Sequence, residues 1–265
     1  MEYDVVIVGG GVAGLSAATF TARAELETLV LDAGGSLIRR NAHLENVPGF
    51  PSGVNSRQFS DLLVEQAENA GAERRESRVT AVERTDTTRD DGPDGENDAN
   101  NANNATDAND RRFRVQTTDD DRVTAEYVIA ATKNETAYLD GIDGVGLIDR
   151  GKAFVDTDER GRTGVDGLYA AGRLAEKPHQ AAVCAGHGAE VAVTLLEDDD
   201  RPFYHDWVAP DGYFTDRGRE VPPGCEEIDD PERRRREADS LKTMRERFSE
   251  PHPGDQPTHP SLREE

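Results

Sequence analysis

Cysteine is the first shortage that limits what this sequence can do. The 265 residues contain two cysteines, Cys184 and Cys225, and no Cys-x-x-Cys pair. A redox centre built from two thiols of this chain is therefore not expected. The six histidines are scattered and show no spacing typical of zinc ligands, so no metal site is predicted either.

Long apolar runs are also missing. No stretch approaches the roughly 18 consecutive apolar residues that a membrane-spanning helix needs. The first apolar segment leads directly into a glycine-rich turn, which is typical of a folded domain and not of a signal peptide. We therefore expect a cytoplasmic protein that makes no contact with a membrane.

Lysine is rare, and the charge is strongly of one sign. Only Lys133, Lys152, Lys177 and Lys242 occur among 31 basic residues, against 54 acidic residues, and the formal net charge is -23. Molar salt screens charge within about 3 Å, so this composition is typical of halophilic proteins from haloarchaea. An acidic protein with a disordered tail is the alternative. The negative surface argues against nucleic acid as a partner.

Glycines near the amino terminus form the clearest motif. Gly9, Gly11 and Gly14 make G-x-G-x-x-G between a predicted strand at residues 3–8 and a predicted helix from Gly11 to Arg23. The first glycine permits a tight turn, the second lets the backbone approach a diphosphate, and the third lets the helix pack on the strand. The pattern predicts a site for the ADP half of a dinucleotide. A tight turn that binds nothing is the alternative.

Asp32 ends the next predicted strand, which runs from Thr28 to Asp32. A carboxylate at this place accepts hydrogen bonds from a ribose diol. It would repel a 2′-phosphate, so NADP is disfavoured at this site. The motif does not separate FAD from NAD, because both contain the ADP half that it recognises.

The rest of the pattern predicts an α/β fold with a small β-meander. After the loop "LENVPGFPSG" (Leu44 to Gly53), Ser56 is predicted to cap a helix that Gly71 ends. Short alternating segments then predict three meander strands and two later strands. They are Val79 to Arg84, Phe113 to Thr117, Val123 to Ile129, Ala153 to Asp156 and Leu168 to Ala171.

Residues 86–110 interrupt this meander. The segment contains no apolar side chain larger than Ala, so it cannot bury enough surface to offset its chain entropy. We expect a disordered acidic loop that joins two meander strands.

A change in composition suggests the domain boundary. A predicted helix from Pro178 to Leu196 ends a first domain at residues 1–197, and residues 198–265 read as a charged tail rich in Pro and Gly. Within the tail, residues 231–248 are predicted to form an amphipathic helix. Its apolar face is formed by Leu241, Met244 and Phe248.

The same helix carries four consecutive arginines, Arg233 to Arg236. Glu237 and Glu232 stand four residues from Arg233 and Arg236, respectively. Side chains at this spacing pair on a helix surface. We therefore expect salt bridges within the helix instead of a site for an anionic partner.

Four segments, taken in order, resemble the FAD domain of the low-molecular-weight thioredoxin reductases. They are "VVIVGGGVAGLSAA" from Val5, "ENVPGFPSG" from Glu45, "VDGLYAAGR" from Val165 and "HQAAVCAGHGAEVA" from His179. The resemblance implies a Rossmann-like FAD-binding domain, with a parallel sheet and helices beside the meander, and FAD as the cofactor. That family forms dimers through this domain, so the resemblance also points to a homodimer.

The resemblance assigns cofactor-binding residues as well. It implies that the first motif holds the ADP half of FAD, that the loop from Pro48 to Pro51 lies near the flavin, and that the last strand and helix close over the ring. The FAD-binding residues predicted in this way are Gly9, Gly11, Val12, Ala13, Gly14, Asp32, Ala33, Val82, Ala131, Thr132, Gly172, Arg173, His179, Gln180 and Ala181.

The predicted start of the last helix agrees with this placement. A helix that begins at Pro178 presents the free N–H groups of His179, Gln180 and Ala181. Such donors suit the negative charge that develops on a reduced flavin. No catalytic residue is assigned, and His179 is the candidate proton donor, ahead of His187. Cys184 is expected to act as a small buried helix residue.

The departures from the family pattern are equally informative. The family inserts an NADPH domain with its own glycine motif and the redox Cys-x-x-Cys after an Ala-Thr-Gly strand end. Here the strand ends Ala131, Thr132, Lys133, and too little chain follows for a second nucleotide-binding domain. The family's Gly-Asp pair, whose Asp holds the ribityl chain, is replaced by Gly172 and Arg173. A guanidinium cannot accept a hydrogen bond, although it pairs with phosphate.

These observations predict an FAD-dependent oxidoreductase without an NADPH domain or dithiol of its own. Its electron donor and acceptor are unidentified, and thioredoxin reductase activity itself is not expected. One alternative is a flavin- or nucleotide-binding sensor or interaction protein without catalysis. A third hypothesis is an NAD-binding dehydrogenase.

Overall fold

The structure is a computed structural model, and it describes residues 1–85, 112–119, 121–199, 201–202 and 205–258. The predicted acidic loop at residues 86–110 lies outside these ranges. The helices and strands of the described chain follow in order. They are β1 (Glu2–Val8), α1 (Val12–Arg23), β2 (Thr28–Asp32), α2 (Ser56–Asn69), β3 (Glu73–Glu76), β4 (Val79–Arg84), β5 (Phe113–Thr117), β6 (Arg122–Ala130), β7 (Leu147–Asp149), β8 (Ala153–Val155), β9 (Leu168–Ala170), α3 (Ala181–Asp198), β10 (Trp207–Pro210), β11 (Cys225–Ile228) and α4 (Asp230–Arg247).

The main sheet has the strand order β3-β2-β1-β6-β5-β4, and β9 pairs with the carboxyl-terminal part of β6. Strands β3, β2, β1, β6 and β9 run parallel, whereas β6, β5 and β4 form the antiparallel meander. The predicted α/β class with a parallel sheet and a meander is confirmed. The carboxyl ends of the parallel strands meet at one edge, which is where ligands bind in sheets of this kind.

Strand β1 explains why the first apolar run is continuous. Val5 and Ile7 point into one hydrophobic core, which contains α1, α2 and α3, and Val6 and Val8 point into a second core on the other face. All four are almost completely buried. A parallel strand covered on both faces has apolar side chains at every position, unlike the alternating strands of the meander.

Several predicted boundaries change by a few residues. Strands β2, β4 and β5 have the predicted bounds, and Gly71 ends α2 in the left-handed region, with φ of +108°. The side chain of Asn55 caps α2, because it accepts the N–H groups of Arg57 and Gln58, so the prediction of Ser56 as the cap is wrong.

The last helix of the sheet domain also begins later than predicted. Helix α3 starts at Ala181, and Gln180 is its N-cap. The segment from Pro178 to Gln180 is not helical, and the Gln180 N–H donates to the Pro178 carbonyl at 2.8 Å. Pro178 is therefore not the start of this helix.

The carboxyl-terminal segment contacts the sheet domain through α2 and the loop before it. Arg247 pairs with Glu65 at 2.7 Å, and the ring of Phe248 lies 6.2 Å from that of Phe50. Helix α4 itself contains no buried residue, and Leu241 and Met244 on its predicted apolar face are 51% and 41% exposed. The domain boundary at residue 197 stays a prediction.

Helix α4 is covered by the ion pairs expected from its sequence. Arg233 pairs with Glu237 at 2.6 Å and Arg236 with Glu232 at 2.8 Å. In the described residues, no helix combines the length and the apolar character needed to cross a bilayer.

Helices α1 and α3 cross so closely that the crossing point must be glycine. A Cβ added at Gly188 of α3 would overlap the Ala13 carbonyl group of α1, with its carbon only 2.8 Å away. We expect Gly188→Ala to destabilise the protein by about 3 kcal/mol in chemical denaturation, because backbone atoms must move.

Gly186 offers the matched control on the same helix, since a Cβ there meets no atom within 4 Å. Gly186→Ala should stabilise the protein by about 0.5–1 kcal/mol through helix propensity. Equal effects of the two substitutions would contradict the close α1–α3 crossing.

Candidate cofactor-binding cavity

A cavity of about 520 Å³ lies at the carboxyl edge of the parallel strands. Its floor is the turn between β1 and α1. Asp32 and the chain after β2 form one end, and the ends of β6 and β9 with the start of α3 form the other. The cavity therefore runs across the sheet from β2, over β1, to β6 and β9, as an extended dinucleotide requires.

Each of the three positions of the motif is occupied by glycine for a different structural reason. Gly9 has φ of +115°, and a Cβ on it would lie 2.7 Å from the Ala131 carbonyl oxygen. A Cβ on Gly14 would overlap the Gly9 carbonyl oxygen, so Gly14 brings α1 against the strand end. A Cβ on Gly11 would meet no atom within 4 Å, and Gly11 lines the cavity. Gly11 thus keeps space open for a ligand.

The first turn of α1 fits a diphosphate. Gly11 is the N-cap, and no side chain caps the helix, so the first N–H groups of α1 have no partner within the helix. The first turn carries no acidic residue, and Val12 and Ala13 line the cavity. Free N–H groups and the helix dipole favour an anion at this place.

Asp32 lies at the β2 end, and its carboxylate is held from two sides. It accepts hydrogen bonds from the Gly34 N–H at 2.9 Å and from the Arg74 guanidinium at 2.7 Å. A Cβ on Gly10, which stands between the first two glycines of the motif, would overlap the Asp32 carboxyl group. Glycine at this position therefore makes room for the Asp32 side chain. A carboxylate has about four acceptor sites, which leaves capacity for a ribose diol.

Sequence reasoning missed Arg74. It lies on β3, whose sequence Glu-Arg-Arg-Glu shows no apolar alternation, so the segment gives no strand signal. Parallel pairing of β3 with β2 places Arg74 beside Asp32. Only the three-dimensional pairing brings these residues together.

The structure brings most of the predicted site residues to this cavity. Those that line it are Gly9, Gly11, Val12, Ala13, Asp32, Ala33, Ala131, Thr132, Arg173, His179, Gln180 and Ala181. Gly14 and Gly172 lie beside it, and a Cβ on Gly172 would be 2.7 Å from the Ala13 Cβ. Val82 is completely buried in the second core and does not line the cavity.

The loop after β2 contributes more than was predicted. Its residues from Leu37 to Asn46 line the cavity at several points, and the Asn46 amide donates to the Gln180 side chain at 2.9 Å. The segment from Pro48 to Pro51, which was expected near the flavin, does not line the cavity. Its Phe50 packs against Phe59 instead, with ring centroids 6.1 Å apart.

The donors at the α3 end are also shifted along the chain. The Gln180 N–H is occupied by the Pro178 carbonyl, so it is not a free donor as predicted. The unpaired first-turn N–H groups of α3 are those of Ala181, Ala182 and Val183, because Cys184 already donates to Gln180. The positive end of the helix is nevertheless directed at the cavity that Ala181 lines.

Lys133 has a backbone conformation that usually favours glycine. Its φ is +69°, in the left-handed region that favours glycine. A residue with a Cβ held in this region costs about 1 kcal/mol or more. The strand end therefore approaches the cavity without a glycine, and the Lys133 side chain is added to its lining.

The pKa values of two side chains near the amino-terminal end of α3 are shifted in opposite directions. Burial first, then the positive charges of Arg173 and Lys133, lower the pKa of His179. Burial raises the pKa of the Cys184 thiol, which lies 3.7 Å from the Pro178 carbonyl oxygen. Cys184 is buried and held as a thiol, in agreement with the expected structural role.

The His187 side chain binds a backbone N–H group and does not line the cavity. It is 4% exposed, and its Nδ1 accepts the Gly172 N–H at 2.9 Å. Burial lowers its pKa to about 4, so the ring is neutral near pH 7. This geometry favours a positioning role for His187 at the strand end after β9.

Comparison with known families agrees with this description. Residues 4–91 match a family described as FAD binding domain. The thioredoxin reductase of Listeria monocytogenes serovar 1/2a is 42% identical over 73 residues, which are 27% of this chain and 23% of that protein. The thioredoxin reductase of Treponema pallidum is 38% identical over 84 residues, or 31% of this chain and 27% of that protein. The matches thus span about a quarter of these relatives.

Solved structures show the same fold. The thioredoxin reductase of T. acidophilum aligns with a TM-score of 0.58 and 19% identity, over 74% of this chain and 98% of that chain. A thioredoxin reductase from Gloeobacter violaceus aligns with a TM-score of 0.59 and 16% identity, over 77% and 99% of the two chains. The sequence matches support FAD as the cofactor, and the structural matches support the fold.

The buried His187 predicts a pH dependence of stability. Its pKa of about 4 in the folded chain is below the ordinary value of about 6.5, so the unfolded chain binds more protons between these values. Its contribution is fully present above pH 6.5 and is lost as pH falls toward 4, by up to about 3 kcal/mol.

Denaturant titrations at constant ionic strength from pH 7 to pH 4 measure this loss. In His187→Asn the amide oxygen can still accept the Gly172 N–H, but the side chain no longer titrates. The variant should lack that part of the pH dependence. If wild type and variant lose stability in parallel, the buried neutral imidazole is contradicted.

Proposed function

We propose that this chain, a thioredoxin reductase-like FAD-binding protein, is a flavin-dependent oxidoreductase whose electron donor and acceptor are separate molecules. FAD supplies the electron chemistry when it is bound, and the residues of the chain hold and orient it. The observation that carries the proposal is the cavity across β2, β1 and β6, which begins at Asp32 and ends at α3.

The secondary structure between β6 and β9 supports the part of the proposal that no NADPH-binding domain is inserted there. Residues 131–167 contain one short 3₁₀ turn and the β7–β8 hairpin. A single βαβ unit needs roughly 30 residues, and this segment contains no α-helix. Cys184 and Cys225 are both free, which supports chemistry without a dithiol.

The residues of the cavity have distinct roles in this proposal. The N–H groups of Val12 and Ala13 bind the diphosphate, and Asp32 binds the adenosine ribose. The start of α3 and the β6 end favour negative charge on the ring. His179 is the candidate to exchange a proton with the ring or with a substrate, and its lowered pKa favours the neutral base near pH 7.

His187 and the loop before α2 act indirectly. His187 fixes the Gly172 backbone beside Ala13, and the Asn46–Gln180 hydrogen bond joins the two walls of the cavity. These contacts pre-organise the site before the cofactor arrives.

The proposal predicts stoichiometric FAD that a biological donor reduces. Purified protein in molar KCl should take up FAD, and its visible absorbance should bleach under anaerobic addition of a donor and return with an acceptor. NADH, NADPH and a reduced ferredoxin are suitable first donors, and dithionite shows that the ring is reducible.

The other outcomes of this titration separate the alternatives. A protein that does not take up FAD contradicts the flavoprotein proposal. Bound FAD that only dithionite reduces favours the sensor, and uptake of NAD without FAD favours the dehydrogenase.

Gly11 tests the placement of the diphosphate. Gly11→Ala should fold normally, because its Cβ meets no atom of the chain, but it should bind FAD at least about tenfold more weakly, because the Cβ separates the diphosphate from the helix amides. Equilibrium titration with FAD measures this change.

Gly186→Ala is the control, since its Cβ also meets no atom but lies on the exposed side of α3. It should bind FAD as the wild type does. Undiminished affinity in Gly11→Ala would place the diphosphate elsewhere.

A further inference from the structure

The carboxylates that line the cavity each contact a basic side chain, and two of them form ion pairs with arginines. Such a contact limits the effect of each carboxylate on a ligand. The pairs are Asp32 with Arg74, Glu45 with His43 and Glu135 with Arg78, each at 2.7 Å.

The basic side chains at the β6 end have no such partner in the part of the chain that the structure describes. Lys133 and Arg173 line the cavity, and Arg40 and Lys152 lie near enough for their charges to lower the pKa of Lys133, an effect in which burial is the largest cause. Within the described residues, none of these four forms a salt bridge. Uncompensated positive charge is unexpected in a chain with a net charge of -23.

Arg173 is held in place by packing. Its guanidinium carbon lies 5.3 Å from the centre of the Phe154 ring, and the side chain is half-buried. Stacking of this kind fixes the planar group while its N–H donors stay available. A guanidinium in this state suits the bidentate recognition of a carboxylate or phosphate.

Lys133 is maintained against a conformational cost. Its left-handed backbone would be unstrained with glycine, yet the chain carries lysine there. Strained residues cluster at functional sites, where the side chain supplies something that glycine cannot.

Lys133 and Arg173 form a basic cluster on the β6 side of the expected diphosphate position, and Arg173 is the nearer of the two because it follows Gly172, which lies beside Ala13. The diphosphate site is at the start of α1, next to β1, whereas Lys133 follows β6 and Arg173 follows β9. Strand β6 lies on the opposite side of β1 from β2 and Asp32. The cluster therefore belongs to the part of the cavity assigned to the flavin ring and to whatever reacts with it.

We propose that Lys133 and Arg173 bind the carboxylate or phosphate group of a small substrate at the ring end of the cavity. The inference rests on the proposed function, because it places this substrate next to bound FAD. A small molecule fits better than a polyanion, since Lys133 and Arg173 line the cavity and the negative chain repels large anions.

Calorimetric titration with inorganic phosphate tests the proposal on protein saturated with FAD. Ionic strength is held constant with KCl, and binding is counted per bound FAD. Wild type should bind phosphate, Lys133→Gln and Arg173→Gln should each bind about tenfold more weakly, and the double variant should show no binding.

Two further variants separate specific loss from general effects. Arg122→Gln removes a positive charge from the opposite end of β6 and should bind phosphate as the wild type does. Lys133→Gly removes the charge together with the backbone strain, so it should be at least as stable as wild type and still bind phosphate about tenfold more weakly.

The failures of this inference and of the proposed function are distinguishable. If wild type does not retain FAD, the proposed function fails and the inference falls with it. If FAD is retained but phosphate binds the double variant as tightly as Arg122→Gln, the inference alone fails.

Two other results would also overturn the inference. Phosphate that binds only FAD-free protein would assign Lys133 and Arg173 to the cofactor's own diphosphate. An Arg173→Gln protein that can no longer be saturated with FAD would assign Arg173 to the cofactor.

Discussion

The amino-terminal turn of α1 contacts its neighbours at two points where only glycine fits. Gly14 lets the helix contact the carbonyl of Gly9, and Gly188 of α3 lets a second helix contact the carbonyl of Ala13. These contacts fix the first turn of α1 between the β1 end and α3. The free N–H groups of that turn are thereby held at the floor of the cavity, and the ribose and ring ends are positioned relative to them.

Charge is arranged around this scaffold in two ways. Two of the three acidic side chains that line the cavity are paired with arginines, as Asp32 is with Arg74, whereas Lys133 and Arg173 at the β6 end have no ion-pair partner among the residues that the structure describes. The exposed pair of Glu135 with Arg78 contributes little to stability, so it mainly offsets negative charge in the ligand's surroundings. The unmatched cations leave one end of the cavity positive in a strongly acidic protein.

The sequence was sufficient for the parts of the site that depend on local backbone requirements. The motif at Gly9, Gly11 and Gly14 predicted the turn, the helix and the cavity floor, because Gly9 has a backbone conformation that favours glycine, Gly14 allows close contact with Gly9, and Gly11 keeps space open for a ligand. The start of α3 was placed too early, since Pro178 is compatible both with a helix start and with the turn that precedes one. Val82 was assigned by resemblance alone, and it lies in the core.

The sequence did not predict the contacts between segments that are far apart along the chain. Nothing in the charged strand β3 predicts that Arg74 meets Asp32, and nothing in the tail predicts that Phe248 packs on Phe50. Those contacts depend on strand order and on docking of the tail, which are tertiary properties. The left-handed backbone of Lys133 was likewise visible only in the structure, although the loss of glycine at that position was a signal.

The central claim is that one extended FAD crosses the sheet from Asp32 to the ends of β6 and α3. A crystal structure of the protein with FAD measures this directly. We expect density for the diphosphate at the N–H groups of Val12 and Ala13, adenosine at Asp32, and the flavin ring beside Lys133 and Ala181. Adenosine at the β6 end, or FAD bound outside this cavity, would contradict it.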